Sequence, residues 1–374
     1  MIRTGTNNIK DNAKIAFDVY NANGKELLKK GNYIKTFQIE KLKLYEVPYI
    51  YITDERVFVS SLFDMKTRSE LLKIIQAFCD TDGENAQILK IYNNEEVNKF
   101  IAFKNDKADA IAYGHVMKFF VHELILQMKK NGAVYYDFTD GRTSADYFFF
   151  HMINVCCLSL TIGFNMGLKD EDLIDLGVGA LLCDIKMKAY KFASQDKLFD
   201  KLEKEEMMQH TLLSYELIRR IYGVSAKSAA VSGQHHERFD GSGYPKGLKD
   251  EEISLFSRIV GLADVYDALC SNRPFRKAFT PEQAWHHIVE GSGTLFDPAI
   301  IAVFKKTIPV YYPGDIVEIS NGAQALVVKN NFENLRSPVI KIIEKRDKSD
   351  IITGREINTA AEKCEIIKTT EYIR

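Results

Sequence analysis

The sequence predicts a mainly α protein: a helical bundle flanked by a small N-terminal α+β module and a small C-terminal antiparallel β module. Three observations carry that expectation. Apolar residues recur at helical spacing through much of the stretch from Val57 to Pro309. Asn23-Gly24 and Asn321-Gly322, near the two ends, are hairpin signals, because both positions of the tight turn need positive φ. The 374 residues are 46% hydrophobic and 27% charged, ordinary globular values for a chain of two or three domains. The expected units are residues 1–56, a β-rich module; 57–132, a helical linker region; 133–309, the bundle; and 310–374, the C-terminal β module.

Taken in order, Ile15 to Tyr20 reads as a strand, and Leu27-Leu28 as its return after Asn23-Gly24. Phe37 to Tyr45 follows a helical period, with Phe37, Leu42, Leu44 and Tyr45 partly on one face. Tyr49 to Ile52 is a further strand. Leu71, Leu72, Ile74, Ile75 and Phe78 share a helical face, and a longer helix runs from about Val116 to a stop at Asn131-Gly132. His115 and His122 lie on that helix and are read as structural, since no acidic partner has matching spacing. Asp146 to Leu168, Leu173 to Met187 and Met207 to Ile221 are the next helices. Gly177, Gly179 and Ala180 suit close helix approach, and a buried Asp184 needs a partner, for which a metal is a good candidate. After Pro309, Ile316–Ser320 and Ala323–Val328 flank the second hairpin signal, with more strands at Val339–Ile343 and Ile351-Ile352.

Charge and cysteine usage narrow the function. Net charge is −1, so nothing electrostatic favours a nucleic-acid polymer as partner. No apolar run reaches the roughly 18 residues that read as a membrane span, and the polar N-terminus has no signal-peptide core. The six cysteines are scattered without a CxxC pair, which fits a reduced, cytoplasmic protein.

The chemistry concentrates between Gln234 and Arg276. His235, His236 and nearby carboxylates suit divalent first-row ions. Asp240-Gly241-Ser242-Gly243-Tyr244-Pro245 is a turn-rich loop whose glycines let backbone approach a ligand. Arg273, Arg276 and Lys277 can face phosphate. Metal, tight loop and cations together point to metal-assisted phosphoester chemistry.

These motifs resemble the HD-GYP domain, a branch of the HD metallophosphohydrolases. The resemblance runs from about Asp146 to Phe304 and is most specific over His235-His236-Glu237, Asp240 to Pro245, Arg258-Ile259, Ala263 to Leu269 and Arg273 to Arg276. It implies an all-helical fold and hydrolysis of cyclic di-GMP by metal-activated water. It implies two divalent ions, iron or manganese, with His151, the Cys183-Asp184 position, His210, His235, His236 and Asp264 as metal ligands and Asp184 also catalytic. It places Gly243, Tyr244 and Pro245 beside the substrate, and Arg273, Arg276 and Lys277 against its phosphates. A cyclic dinucleotide is thus the expected partner, with a homodimer or a signalling protein as further candidates.

The sequence departs from the family where the HD motif should stand. Cys183 replaces the motif's histidine, Lys186 its glycine, and Met187 the lysine expected near the scissile phosphate. Thr211 and Ser214 replace a common proline and glycine after His210. Tyr147 stands where some members carry an acidic ligand for a third ion. A Cys183 thiolate would still bind metal, shift the preference toward softer ions and make the site sensitive to oxidation. Two readings follow: a phosphodiesterase, or a domain that senses the nucleotide without turnover.

Overall fold

A computed structural model of the chain describes residues 2–16, 18–20, 26–45, 47, 49–53, 65–80, 113–131, 147–187, 190, 200–221, 223–271, 279–331, 333–346, 349–352 and 355–370. The protein is mainly α. An N-terminal module pairs β1 (Ile2–Gly5) with β4 (Tyr49–Ile52) and β2 (Val19–Tyr20) with β3 (Glu26–Leu28), both antiparallel, around α1 (Thr36–Leu44). The expected strand from Ile15 is shorter: only Val19-Tyr20 joins a ladder, and Ile15 makes an isolated bridge to Ile52. Asn23-Gly24 lies outside the described residues, but the strands on either side of it do pair. In α1 the buried residues are Ile39 and Leu42, while Phe37 and Leu44 are exposed. The helix therefore turns a different stripe inward from the one its aromatics suggested.

The bundle is built from α2 (Met65–Asp80), α3 (Tyr113–Asn131), α4 (Tyr147–Asn165), α5 (Asp170–Leu182), α6 (Lys201–Met208), α7 (His210–Ile218), α8 (Ala226–Gln234), α9 (Leu255–Cys270), α10 (Pro281–Glu290) and α11 (Pro298–Thr307). Helix α4 is at its centre, packed on α5 and α9. By length and composition Phe148–Asn165 could cross a membrane, but 78% of it is buried inside the protein, as a core helix requires. Gly167, at φ 81°, ends this region in the left-handed conformation that glycine adopts freely.

Small residues set how closely the helices approach. A Cβ at Gly177 would lie 2.5 Å from Cγ1 of Val121 on α3, and one at Gly179 would lie 2.7 Å from Cγ2 of Val231 on α8. Two expected helices are cut differently. Helix α5 starts at Asp170, where Asp170, Glu171 and Asp172 complement the positive end of its dipole. It stops at Leu182, so Cys183–Met187 leave it in turns. The stretch from Met207 to Ile221 breaks at Gln209, which puts His210 at the first position of α7.

The C-terminal sheet is antiparallel, in the order β10 (Ile366–Thr370), β5 (Ile316–Ile319), β6 (Gln324–Lys329), β7 (Val339–Arg346), β8 (Ser349–Ile352), with β9 (Ile357–Asn358) also on β7. Its two faces do different work. Val317, Ile319, Ala325, Val327 and Ile340 join the core of the bundle. Ile316, Leu326, Val328, Val339 and Ile343 join the core of the N-terminal module, with Ile15, Ile34, Leu42 and Ile50. The alternation along β6 is the period of two that places successive side chains on opposite faces. The bundle's core also takes in α2 and α3, including Phe78, Val116 and Val121. A boundary drawn between residues 132 and 133 therefore crosses one continuous core.

Candidate metal centre

Five elements bring imidazoles and carboxylates to one buried point. His151 comes from the second turn of α4, Asp184 from the turn after α5, and His210 from the start of α7. His235 and His236 follow α8, and Asp264 lies midway along α9. Their possible ligand atoms form two groups, each within 4.8 Å: Asp184, His210, His235 and His236; and His151, Asp184 and Asp264. Asp184 belongs to both. Its Oδ1 lies 3.1 Å from Nε2 of His210 and 3.1 Å from Nε2 of His235, while its Oδ2 lies 3.6 Å from Nε2 of His151. The two oxygens of one carboxylate thus face opposite halves of the site.

The imidazoles are oriented from behind. His210 Nδ1 faces the Met207 carbonyl at 2.5 Å, and His235 Nδ1 faces the Ser232 carbonyl at 3.0 Å. Carbonyls only accept, so each Nδ1 carries the proton and donates it. In the neutral ring each Nε2 then points a lone pair at Asp184. Nε2 of His210, buried, has no hydrogen-bond partner. Lone pairs aimed at a carboxylate form a donor set that a cation completes, so the residues present fit a divalent metal.

His151 repeats the arrangement. Its Nδ1 lies 2.7 Å from Asp267 Oδ2, and its Nε2 lies 3.0 Å from Asp264 Oδ1. Asn154 Nδ2 donates to the other Asp267 oxygen at 3.1 Å. His236 Nδ1 is 3.8 Å from Asp264 Oδ2.

Proton affinities follow from this packing. Burial alone would raise the Asp184 carboxyl, but the close contacts of His151, His210 and His235 outweigh it and hold the group well below the usual range. Asp264 is lowered too: burial opposes the shift, and the contact with His151 and the nearby His236 ring overcome it. Burial, helped by neighbouring His235, pushes His236 well down, so its ring is neutral. His210 goes the other way, with burial outweighed by its contact to Asp184.

Cys183 does not join either group. Its thiol donates to the Ala180 carbonyl at 3.2 Å, and burial, with the charges of Asp184 and Asp264, raises its pKa well above the ordinary thiol value. Cys183 was expected as a thiolate ligand; here α5 ends at Leu182 and the thiol faces the last turn of its own helix. Lys186 and Met187 are half-buried in the same turn, not on a continuing helix.

The loop after His236 folds back onto it. Tyr244 N–H donates to the His236 carbonyl, and the Tyr244 ring stacks on the His236 ring with centroids 4.7 Å apart. A Cβ at Gly243 would lie 2.5 Å from both Glu237 Cα and His236 O, so only glycine fits there. The buried Glu237 carboxylate accepts from Lys246 N at 2.7 Å and Leu248 N at 3.0 Å, which staples the loop beyond Pro245. Arg273, Arg276 and Lys277 lie outside the described residues. The sequence reading missed the roles of Asn154, Glu237 and Asp267. The spacings His151 to Asn154 and Asp264 to Asp267, each three residues on a helix, were the available signal for two of them.

Comparison with known proteins agrees with this geometry. A family model described as an HD domain matches residues 133–300. The cyclic di-GMP phosphodiesterase PA4108 of Pseudomonas aeruginosa is 31% identical over 207 residues, 54% of this chain and 49% of that protein. The cyclic di-GMP phosphodiesterase response regulator RpfG of Xanthomonas campestris is 37% identical over 175 residues, 44% of this chain and 43% of its own length. A 3'3'-cGAMP-specific phosphodiesterase of Vibrio cholerae is 32% identical over 160 residues, 42% of this chain and 35% of that protein. The chain spans about half the length, or less, of these relatives. Residues 133–300 thus match the HD domain family, and the motifs from His235 to Arg276 within that stretch resemble its HD-GYP type.

Proposed function

We propose that this protein is a phosphodiesterase that hydrolyses cyclic di-GMP with two divalent ions, iron or manganese. His151, Asp184 and Asp264 would hold one ion, and Asp184, His210, His235 and His236 the other. The observation that carries the reading is Asp184, whose two oxygens are divided between two groups of ligand atoms. Such ions, when bound, supply a water acidic enough to deprotonate near neutrality and offset the charge that builds on phosphorus. The protein's own part is to hold the donors in register: carbonyls behind His210 and His235 fix their tautomers, and Asp267 does so for His151. Tyr244, stacked on His236, supplies a flat wall beside the centre for a nucleotide base or sugar. Arg273, Arg276 and Lys277 are assigned to the phosphates on sequence alone.

The relatives named above act, by their names, on cyclic di-GMP or on 3'3'-cGAMP. A cyclic dinucleotide is therefore the substrate class, with cyclic di-GMP the first to test. The decisive experiment loads the protein with iron or manganese without oxygen, measures bound metal, and follows cleavage of cyclic di-GMP to the linear dinucleotide or GMP. Metal uptake with cleavage supports the proposal, and absence of metal after loading refutes it. A second reading, a domain that binds the nucleotide without turnover, draws on Cys183 and Met187. One turns its thiol to Ala180, and the other leaves no charge where the family's lysine stands. Metal uptake and nucleotide binding without cleavage would select it.

A further inference from the structure

The two halves of the centre are unequal. Among the described residues, one half offers three imidazoles and Asp184, whereas the other offers two carboxylates and a single imidazole, His151. Cys183, at the position of the HD motif's histidine, adds a ligand atom to neither half and turns its thiol toward Ala180. The second half thus depends on His151 more than the first depends on any one of its rings. His151 in turn is set by Asp267. That carboxylate is fully buried, accepts a hydrogen bond from His151 Nδ1 at 2.7 Å, and is steadied at its other oxygen by Asn154. Its own backbone carbonyl accepts from the Ser271 hydroxyl at 2.7 Å, which ties the end of α9 in place. A buried carboxylate behind an imidazole fixes the tautomer, stops the ring from rotating and makes Nε2 a stronger donor.

We propose that Asp267 is a positioning residue that makes His151 a competent ligand, so that occupancy of the His151–Asp184–Asp264 half, and not of the three-histidine half, depends on it. The inference rests on the two-ion reading above. It implies stepwise loading, with the three-histidine half filling first and the other half left sensitive to the supply of metal.

The test is anaerobic titration of the full chain with Mn²⁺, following ions bound per chain and the low-temperature electron paramagnetic resonance spectrum. Wild type should bind two ions in two steps, and a spin-coupled pair should appear only in the second. Asp267→Asn keeps the shape but removes the charge, and should weaken the second step about 10–100-fold while leaving the first unchanged. Asn154→Ala should move the second step in the same direction by less, and decides the matter if Asp267→Asn does not fold. Equal weakening of both steps, or no change in either variant, overturns the proposal. If wild type takes up only one ion, the two-ion reading fails first and this inference falls with it.

Discussion

Replacing Gly243 with alanine tests whether the Tyr244 loop is held by close backbone approach. The added Cβ would sit 2.5 Å from both Glu237 Cα and His236 O. Relaxed contacts need about 3.5 Å, so the shortfall is about 1 Å. Both neighbours are backbone, adjacent to a proposed metal ligand, and cannot rotate aside. Overpacking of this kind costs about 1–3 kcal/mol, and the immobility of the neighbours puts this case toward the upper end. Domains of 150–250 residues lose roughly 2–4 °C of Tm per kcal/mol, so the global effect should be several degrees unless the loop moves instead.

Gly241→Ala is the informative comparison. Gly241 has φ +84°, and its nearest neighbour would be Lys249 Cβ at an ordinary 3.4 Å. Alanine there pays the left-handed backbone cost of about 1–2 kcal/mol, without pushing on His236. Gly243→Ala should therefore break the stacking of Tyr244 on His236 and weaken nucleotide binding, and Gly241→Ala should do so much less. Thermal denaturation and titration of metal-loaded protein with cyclic di-GMP measure both effects. If Gly243→Ala keeps wild-type stability and affinity, or if Gly241→Ala is the more damaging of the pair, close approach at residue 243 does not hold the loop.

Three further outcomes are expected. Cys183→Ser should leave metal content unchanged, because the thiol faces Ala180, whereas Cys183→His with Met187→Lys should raise turnover more than nucleotide affinity; elemental analysis and steady-state rates check both. Metal-free protein should lose stability as pH falls below the ordinary carboxylate range: the depressed Asp184 and Asp264 stay charged in the folded state while their unfolded counterparts take up protons, and urea denaturation at several pH values of wild type and Asp264→Asn should show a shallower slope in the variant. A fragment of residues 133–309 should fold poorly, because it exposes the face of α5 that Val121 covers and removes the sheet that joins the same core, whereas the full chain should melt cooperatively by circular dichroism.

Much of the centre was legible because its chemistry is local in sequence. His235, His236 and the loop to Pro245 are contiguous, and Asp264 lies on a strongly periodic helix. The direction of the Cys183 side chain was not legible for a physical reason: a motif position says which residue stands there, but the end of α5 decides where its side chain points. The break at Gln209 was equally hidden, since Met207 to Ile221 keeps a helical pattern across it. The joint core of the two terminal modules could not be read at all. Period-two alternation in β6 announces two buried faces but does not say what covers them.

The two halves of the centre are unequal in imidazoles, and that frames the question of turnover. The three-histidine half has three imidazoles, two of them backed by carbonyls, and under the proposed function it would hold one ion beside Tyr244. Phosphoester hydrolysis with two ions asks more, because in the proposed arrangement a second ion would rely on His151, Asp184 and Asp264. Asp267 and Asn154 reinforce the one imidazole that remains there. Turnover with two ions would depend on that reinforcement, whereas nucleotide binding through the three-histidine half alone would not, so variants of the Asp267–Asn154 pair separate the two readings.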